Sequence, residues 1–294
     1  MTPFSTILTH PGSAHKDEFL ACCVLLAVSP VAIVRREPTD AELADPAIAV
    51  LDVGHRHEPA LNNFDHHQLP PDATPTCALS LVLQHLGVYA DARAFCDWLE
   101  PAEWFDCRGA NTTAQWLGVQ PEIVFKLLSP IDTTLLRRFA AANRHAPGEP
   151  LWEMMRLIGT DLLDYIRNLR ARINFVGQHA QLWSLDSLAP LENGQKASVL
   201  FVPRTDPLPE EPSSGIDRYV IEQGLADRVV AIIAPDRRGG GYGLSRFDDH
   251  PRLDFTRIKS EPDFHFAHQR GFVAKTAATD PLRLKQLLLI AAGV

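Results

Sequence analysis

Metal-ligand side chains are concentrated in two short segments of this 294-residue chain. The segment "NNFDHHQLPP" contains the tripeptide Asp65-His66-His67, and "THPGSAHKDE" contains His10, His15, Asp17 and Glu18. Crowding such groups costs free energy unless they bind something, because each loses hydration when it is buried. Imidazole nitrogens with carboxylate oxygens, and no paired thiolates, suit Mn, Fe, Zn or Mg. The two segments therefore predict a site for divalent cations.

Two further aspartates extend this set. Asp52 ends the apolar run "IAVLDVG", and Asp106 lies in "EWFDCRGAN", with Asp97 and Asp132 as alternatives to Asp106. Because the carboxyl ends of strands in an open α/β sheet converge on one crevice, these loops are expected to meet. A carboxylate fixed by a buried strand is the best bridge between two cations, so Asp52 is predicted to be shared between them. Such a pair clamps a phosphoryl group for in-line attack.

The elements that must position these residues follow from the apolar pattern. Residues 4–9, 31–36 and 48–54 read as strands, and "DEFLACCVLLAV" reads as a helix with its acidic residues in the first turn. Residues 75–145 are helical in pattern, residues 151–175 form one long amphipathic helix, and the remainder is rich in β-strands. Alternating strands and helices at the start indicate the α/β class.

The predicted organisation has three parts. Residues 1–145 form a metal-binding catalytic domain with a mainly parallel sheet flanked by helices. Residues 146–176 form a connector helix, and residues 177–294 form a smaller α+β domain that binds substrate across a cleft.

Composition excludes several classes of protein. The net charge of −8 argues against a surface that coats nucleic acid broadly. The five cysteines show no C-x-x-C spacing, which favours reduced thiols over a zinc–thiolate site. No apolar run reaches the length of a membrane span, and the N-terminus lacks the features of a signal peptide. A cytoplasmic protein with no membrane partner is expected.

The ordered motifs resemble the DHH phosphoesterase superfamily, and within it the Myg family (the melanocyte proliferating gene product and its bacterial relatives). "THPGSAHKDEFLA" resembles the family's T-H-x-G-x-F-H-x-D-E-x-L-A, and "LDVGHRHEPALNNFDHHQ" resembles D-V-G-G…Y-D-H-H-Q. Near the end, "FHFAHQRGFVAKT" is similar to F-V-H-x-x-G-F-I-G. The resemblance implies a metal-dependent hydrolase, with 3′-to-5′ exoribonuclease activity for some members.

The resemblance also implies roles for individual residues. The first cation would be bound by His10, His15 and Asp52. The second would be bound by Asp17, Asp52, His66 and Asp106. His67 would polarise the phosphate, which makes His67 and Asp52 the catalytic pair, and Asp65 would fix an imidazole. The cofactors expected are two divalent cations, Mn first, with Mg, Zn and Fe as alternatives.

The chain departs from the family pattern at three places. Ala14 replaces the Phe before the second His, and Gly54-His55 replaces Gly-Gly after the strand-end aspartate. "WFDCRG" stands where the family has A-I-D-N-G, so Asp106 aligns but its neighbours do not.

Candidate substrate contacts lie in "PDRRGGGYGLSRF" and "FHFAHQRGF". They are Arg237, Arg238, Gly240, Gly241, Arg246, His268 and Arg270. Glycine amides and guanidinium groups bind phosphates, although a tight turn with solvated arginines explains the first segment equally well.

The expected partner is a phosphorylated substrate, either a short oligonucleotide or a nucleotide, and a homodimer is left open. Two other functions stay open on the sequence alone. One is a manganese-type pyrophosphatase or small-molecule phosphomonoesterase. The other is a catalytically inactive module that binds a nucleotide or a protein partner.

Overall fold

A computed structural model describes residues 2–126, 129–209 and 215–294. The chain divides into two compact units, one ending at Asn168 and the other starting at Leu169. The division falls inside helix α8 (Pro150–His179), which lies where the connector helix was expected. The assignment of catalysis to one unit and substrate binding to the other stays a prediction. Within the described ranges, no helix combines the length and apolar character needed to cross a membrane.

Unit 1 is built on a six-stranded sheet. Its strands are β1 (Thr6–Thr9), β2 (Ala32–Arg35), β3 (Ile48–Leu51), β4 (His57–Glu58), β5 (Asn63–Phe64) and β6 (Arg144–His145), in the order β4-β5-β3-β1-β2-β6. The four central strands are parallel, whereas β4 and β6 pair antiparallel at the edges. Only four residues separate β4 from β5, which is too short for a parallel crossover. The α/β class is confirmed, and the mainly parallel character belongs to the central strands.

In the described part of the chain, seven helices belong to unit 1, and an eighth, α8, begins there and continues into unit 2. They are α1 (Lys16–Val28), α2 (Asp40–Leu43), α3 (Ala78–His85), α4 (Tyr89–Phe95), α5 (Leu99–Leu117), α6 (Pro121–Lys126), α7 (Pro130–Ala140) and α8. Helix α1 is buried around most of its circumference, as its apolar composition requires. The burial includes two carboxylates, Asp17 and Glu18, in its first turn. Buried carboxylates need cations or hydrogen-bond donors, so α1 brings unsatisfied charge into the core.

Unit 2 is an α+β unit with a second six-stranded sheet. Its strands are β7 (Gln181–Ser184), β8 (Ser198–Phe201), β9 (Val229–Pro235), β10 (Tyr242–Arg246), β11 (Phe264–Ala267) and β12 (Val273–Thr276), in the order β11-β12-β10-β9-β8-β7. Helices α9 (Ile216–Glu222) and α10 (Pro281–Ala292) accompany it. All pairs are antiparallel except β8 with β9. This arrangement agrees with the α+β expectation for the end of the chain.

Candidate metal centre

The loops that contain the candidate metal ligands follow three neighbouring strands and start at one edge of the first sheet. Strands β1, β3 and β5 lie side by side, and their last residues are paired in register. The next residues along the chain are His10, Asp52 and Asp65, so all three emerge together at the carboxyl edge. Parallel pairing thus brings segments distant in sequence to one crevice.

Asp52 occupies the middle of this edge and is 2% exposed. Its backbone adopts φ 56°, a left-handed conformation that Asp tolerates better than most residues. Asp52 Oδ1 lies 3.0 Å from His66 Nε2, and Asp52 Oδ2 lies 3.5 Å from His10 Nε2. The two oxygens of one carboxylate therefore face imidazoles from two different loops.

The first group of ligand atoms matches the expected first cation site with one addition. His10, His15, Glu18 and Asp52 each offer a ligand atom, all within 4.8 Å of one another. A contact with Glu18 Oε2 raises the pKa of His10 to about 9, outweighing the opposite effect of burial. Glu18 is fully buried and joins a group that the sequence assigned to three residues.

The residues expected at the second cation are divided among several groups of ligand atoms. Asp52, His66 and His67 form one group, and His15, Asp17 and Asp106 form another. His66 Nε2 connects them, since it lies 3.1 Å from Asp106 Oδ2.

The four predicted ligands of the second cation do not form a single group within 4.8 Å in the described ranges. Asp52 comes from the sheet edge, whereas Asp17 comes from α1. His66 lies between the groups, because its Nε2 contacts both Asp52 and Asp106. Burial lowers the pKa of His66, but the contacts with Asp106 and Asp52 more than offset this effect and raise the pKa to about 12.

Buried polar atoms without well-formed hydrogen bonds show that these residues fit divalent cations. Asp17 Oδ1, Asp52 Oδ1, His66 Nε2 and Asp106 Oδ2 are buried, and within the described residues none of them makes a hydrogen bond of acceptable geometry, although His66 Nε2 lies 3.0 Å from Asp52 Oδ1 and 3.1 Å from Asp106 Oδ2. Natural proteins rarely leave such atoms unsatisfied. Burial, together with the charges of Asp52 and Asp106, raises the pKa of Asp17 well above its usual range. A cation would neutralise this carboxylate cluster, and the nitrogen and oxygen donors suit Mn, Fe, Zn or Mg.

Asp106 is favoured over the two alternatives considered from the sequence. Asp132 forms a capping box with Ser129 at the start of α7, and its Oδ2 accepts a hydrogen bond from Ser129 Oγ at 2.9 Å. Asp132 Oδ1 also lies 3.4 Å from Lys16 Nζ. Asp97 is exposed in the turn between α4 and α5. Among the described residues, neither belongs to a group that could share a cation.

Asp65 anchors the two loops that flank the centre. It is fully buried, and its Oδ2 accepts a hydrogen bond from His55 N at 2.6 Å. Its Oδ1 accepts from His67 N at 3.0 Å and contacts His67 Nδ1 at 2.7 Å. Burial raises the pKa of Asp65, but the contacts with His67 and His55 outweigh it and lower the pKa below its usual value. Asp65 therefore holds the His67 imidazole in place and, among the described residues, belongs to none of the groups of ligand atoms.

Replacing Asp65 with Asn should weaken the centre without removing a ligand atom. An amide cannot accept from all of these donors, because one of its two positions is itself a donor. We expect Mn²⁺ affinity, measured by titration calorimetry, to fall about 10- to 100-fold, as for other residues that orient metal ligands. Asp45→Asn is the matched control, since Asp45 also accepts a backbone N–H, that of Ala47 at 2.9 Å, away from the centre. Equal affinities in the two variants would contradict the anchoring role.

Two functional contacts were missed from the sequence. Glu18 belongs to the ligand-rich segment but was assigned to neither cation from the sequence, and Arg35 was not singled out. Arg35 is 2% exposed, and its Nη2 donates to Glu18 Oε1 at 3.0 Å and to Ser13 O at 3.2 Å. Its Nη1 donates to Gly12 O at 3.2 Å and to Phe139 O at 3.3 Å. The one available signal was a charged residue ending the apolar strand "VAIVR".

A cavity of about 540 Å³ opens at this edge of the sheet. Among its lining residues are His10, His15, Asp52, His55 and His67. His67 is half exposed there, with its Nδ1 held by Asp65. The cavity is large enough for a phosphoryl group and part of what is attached to it.

The candidate substrate contacts all lie in unit 2, around the β9–β10 hairpin and strand β11. Arg237 donates to Pro209 O, and Arg246 Nη1 pairs with Asp249 Oδ1 at 3.0 Å. A side chain at Gly241 would collide with Thr276 O, so the sheet itself requires glycine at that position.

The remaining candidates are also placed by contacts within unit 2. Gly240 has φ +75°, as the hairpin turn requires, and Arg238 is exposed beside it. The His268 ring packs 4.4 Å from the Phe272 ring, and Arg270 N donates to His268 Nδ1 at 3.2 Å. Substrate binding by these residues stays a prediction.

Comparison with known proteins gives one family and one solved structure. Residues 6–87 match the model of the MYG1_exonuc family, described as an uncharacterised protein family, UPF0160. No curated protein matches the chain. RecJ in complex with Mn²⁺ from Thermus thermophilus aligns at 14% identity and a TM-score of 0.29, over 98% of this chain and 51% of RecJ. The chain thus spans about half the length of that RecJ, and neither fold nor activity is inferred from so low a score.

The family match includes every predicted metal ligand except Asp106. It also includes the Asp65-His66-His67 tripeptide and the loop from Asp52 to His55. The resemblance to the Myg family inferred from the motifs is confirmed over this segment: residues 6–87 are similar to the MYG1_exonuc family.

Proposed function

We propose that this protein is a metal-dependent phosphohydrolase that uses two divalent cations, with Mn²⁺ as the first candidate. Its proposed substrates are the phosphodiester bonds of short RNA or nucleotides, and the name of the matched family supports an exonuclease. The observation that carries the proposal is the position of Asp52, whose two carboxylate oxygens face separate groups of ligand atoms. A shared carboxylate is the defining feature of a two-metal site.

The ligand groups divide between the two cations as follows. His10, His15, Glu18 and Asp52 form one group of ligand atoms and would hold one cation. Asp52, His66, Asp106 and Asp17 fall in separate groups, which the contacts of His66 with Asp52 and Asp106 link, and they would hold the other cation. When bound, such cations neutralise the phosphoryl oxygens and lower the pKa of water into the neutral range.

The protein's own residues hold the metal ligand Asp52 and the phosphate-binding His67 in position. The backbone N of Asp52 donates to Phe64 O at 3.1 Å, which ties the proposed bridging residue to the end of strand β5. Asp65 Oδ1 accepts a hydrogen bond from His67 Nδ1, which leaves Nε2 as the free ring nitrogen, and Nε2 would donate a hydrogen bond to a phosphoryl oxygen when the ring carries both protons. A donor placed in advance stabilises the charge that grows on these oxygens during hydrolysis.

A substrate panel tests the proposal. Chelator-treated protein should regain activity on addition of Mn²⁺ and should release nucleoside monophosphates from 3′-labelled or 5′-labelled RNA of two to five nucleotides. The same samples are assayed with single-stranded DNA, pyrophosphate and p-nitrophenyl phosphate. We expect RNA to be the best substrate, and product analysis by label position gives the direction of degradation.

The other outcomes identify different functions. Release of phosphate from pyrophosphate, with intact RNA, would replace the proposal by a manganese-type pyrophosphatase. Preference for p-nitrophenyl phosphate would indicate a phosphomonoesterase. Binding of two equivalents of Mn²⁺ without hydrolysis of any substrate would indicate a binding module and would end the enzymatic proposal.

A further inference from the structure

We propose that His55 is a substrate-contact residue, which binds the phosphate of the substrate beside the metal centre without binding a cation itself. The proposal rests on the proposed function for the identity of the site, and on separate observations for the residue. His55 was noted in the sequence only as a departure from a Gly-Gly pattern.

The backbone of His55 is held in a conformation that favours glycine. Its φ is 55°, and the preceding Gly54 has φ +92°. A non-glycine residue in this region costs free energy and persists where surrounding contacts fix it. Here the fixing contact is the hydrogen bond from His55 N to Asp65 Oδ2 at 2.6 Å. The turn would form more easily with glycine at residue 55, so the side chain itself must account for histidine there.

Packing does not account for the imidazole. His55 is exposed, and its ring lies edge-on to the His67 ring with 6.1 Å between centroids. It lines the same cavity as His10, Asp52 and His67. A strained residue that contributes an exposed imidazole to the wall of the centre is explained by a ligand in that cavity.

Cation binding does not account for it either. Among the described residues, the groups whose ligand atoms lie close enough to share a cation do not include His55. Its neighbour in the cavity wall, His67, is fixed by Asp65, which also holds the backbone of His55. One buried carboxylate thus sets the positions of two imidazoles on one wall. An imidazole N–H of His55 suits the oxygens of a phosphate, and the doubly protonated form of His67 adds a second donor from Nε2 on the same wall.

The test compares His55→Gly with His55→Asn and wild type. The probe is adenosine 5′-monophosphate, whose affinity for Mn²⁺-loaded protein is measured by titration calorimetry. We expect His55→Gly to raise the denaturant midpoint, since it relieves the left-handed strain, and to weaken nucleotide binding at least about tenfold, which corresponds to about 1.4 kcal/mol. His55→Asn also tolerates the left-handed region and keeps a donor, so its affinity should fall between the two. The stoichiometry of Mn²⁺ should stay the same in all three.

His57→Asn is the matched control. His57 is also exposed and lies two residues further on, but its ring faces Phe64, with 6.3 Å between centroids. Its replacement should leave nucleotide affinity unchanged. A role of His55 in folding alone would lower the stability of His55→Gly, whereas a substrate role predicts higher stability with weaker binding.

Two results would overturn the proposal: unchanged affinity in His55→Gly, or a lower denaturant midpoint for that variant. The outcome is separable from that of the proposed function. If wild type hydrolyses RNA and His55→Gly has the same KM and nucleotide affinity, this inference fails alone. If wild type hydrolyses nothing but His55→Gly still loses nucleotide affinity, the proposed function fails and the contact stands.

Discussion

The Asp52→Asn variant is expected to bind no more than one equivalent of Mn²⁺ and to lose more than about 100-fold in kcat, above the range for residues that only orient a metal ligand. Asparagine keeps the shape of the side chain and tolerates the φ of 56° at this position, so the fold should survive. The variant removes the negative charge that faces His10 and His66 from the two oxygens. Metal content is measured by elemental analysis after gel filtration, and turnover is measured on short RNA.

Asp227→Asn provides the control for this experiment, because Asp227 is an exposed aspartate of unit 2. Its metal content and turnover should equal those of wild type. Retention of two bound metals in Asp52→Asn, with activity near that of wild type, would refute the shared-carboxylate role. Loss of activity with two metals still bound would restrict Asp52 to a catalytic role apart from bridging.

The Arg35→Met variant is expected to lower the free energy of unfolding by about 3–5 kcal/mol, the cost of removing one partner of a buried ion pair. Arg35 and Glu18 are both almost inaccessible, and Arg35 Nη2 lies 3.0 Å from Glu18 Oε1. Methionine leaves Glu18 Oε1 without its guanidinium partner and leaves Gly12 O and Ser13 O without their donors. Because these carbonyls belong to the loop between His10 and His15, Mn²⁺ affinity should fall with stability.

Arg36→Met is a control at the adjacent position. Arg36 pairs with Glu42 on the surface, with a side chain that is 49% exposed. Removing an exposed pair of this kind costs about 1 kcal/mol or less. Denaturant unfolding of the metal-free proteins compares the two variants directly. Similar losses for both would show that the buried pair contributes no more than the surface pair.

A double variant measures the interaction between Arg35 and Glu18 apart from their contacts with other residues. Arg35→Met combined with Glu18→Gln removes both charges, so the double variant should be more stable than the sum of the single losses predicts. If Arg35→Met does not fold, Arg35→Lys is measured in its place, because lysine retains the charge but loses most of the contacts with the carbonyls. The Mn²⁺ affinity of Arg35→Lys then shows whether those contacts position the loop between His10 and His15.

The sequence by itself determined which strands carry the chemistry. Apolar runs that end next to His10 and at Asp52 mark the ends of buried strands, and these are local signals that a single chain can show, whereas the two-residue strand before Asp65 gives no such signal. The motif order also determined the family resemblance, which the match over residues 6–87 confirms. The α/β class followed from the same alternation of strands and helices.

The tertiary structure decided which partners those residues meet. Glu18 and Arg35 lie on α1 and β2, and only packing of the helix against the sheet brings them to 3.0 Å. The motif alignment already favoured Asp106 over Asp97 and Asp132, but only the packing of α5 places Asp106 Oδ2 3.1 Å from His66 Nε2. The left-handed backbone of His55 likewise depends on a hydrogen bond to Asp65, ten residues away. Local patterns fix where strands end, whereas contacts between distant segments fix which charges are neutralised, because burial and pairing are properties of the packed chain.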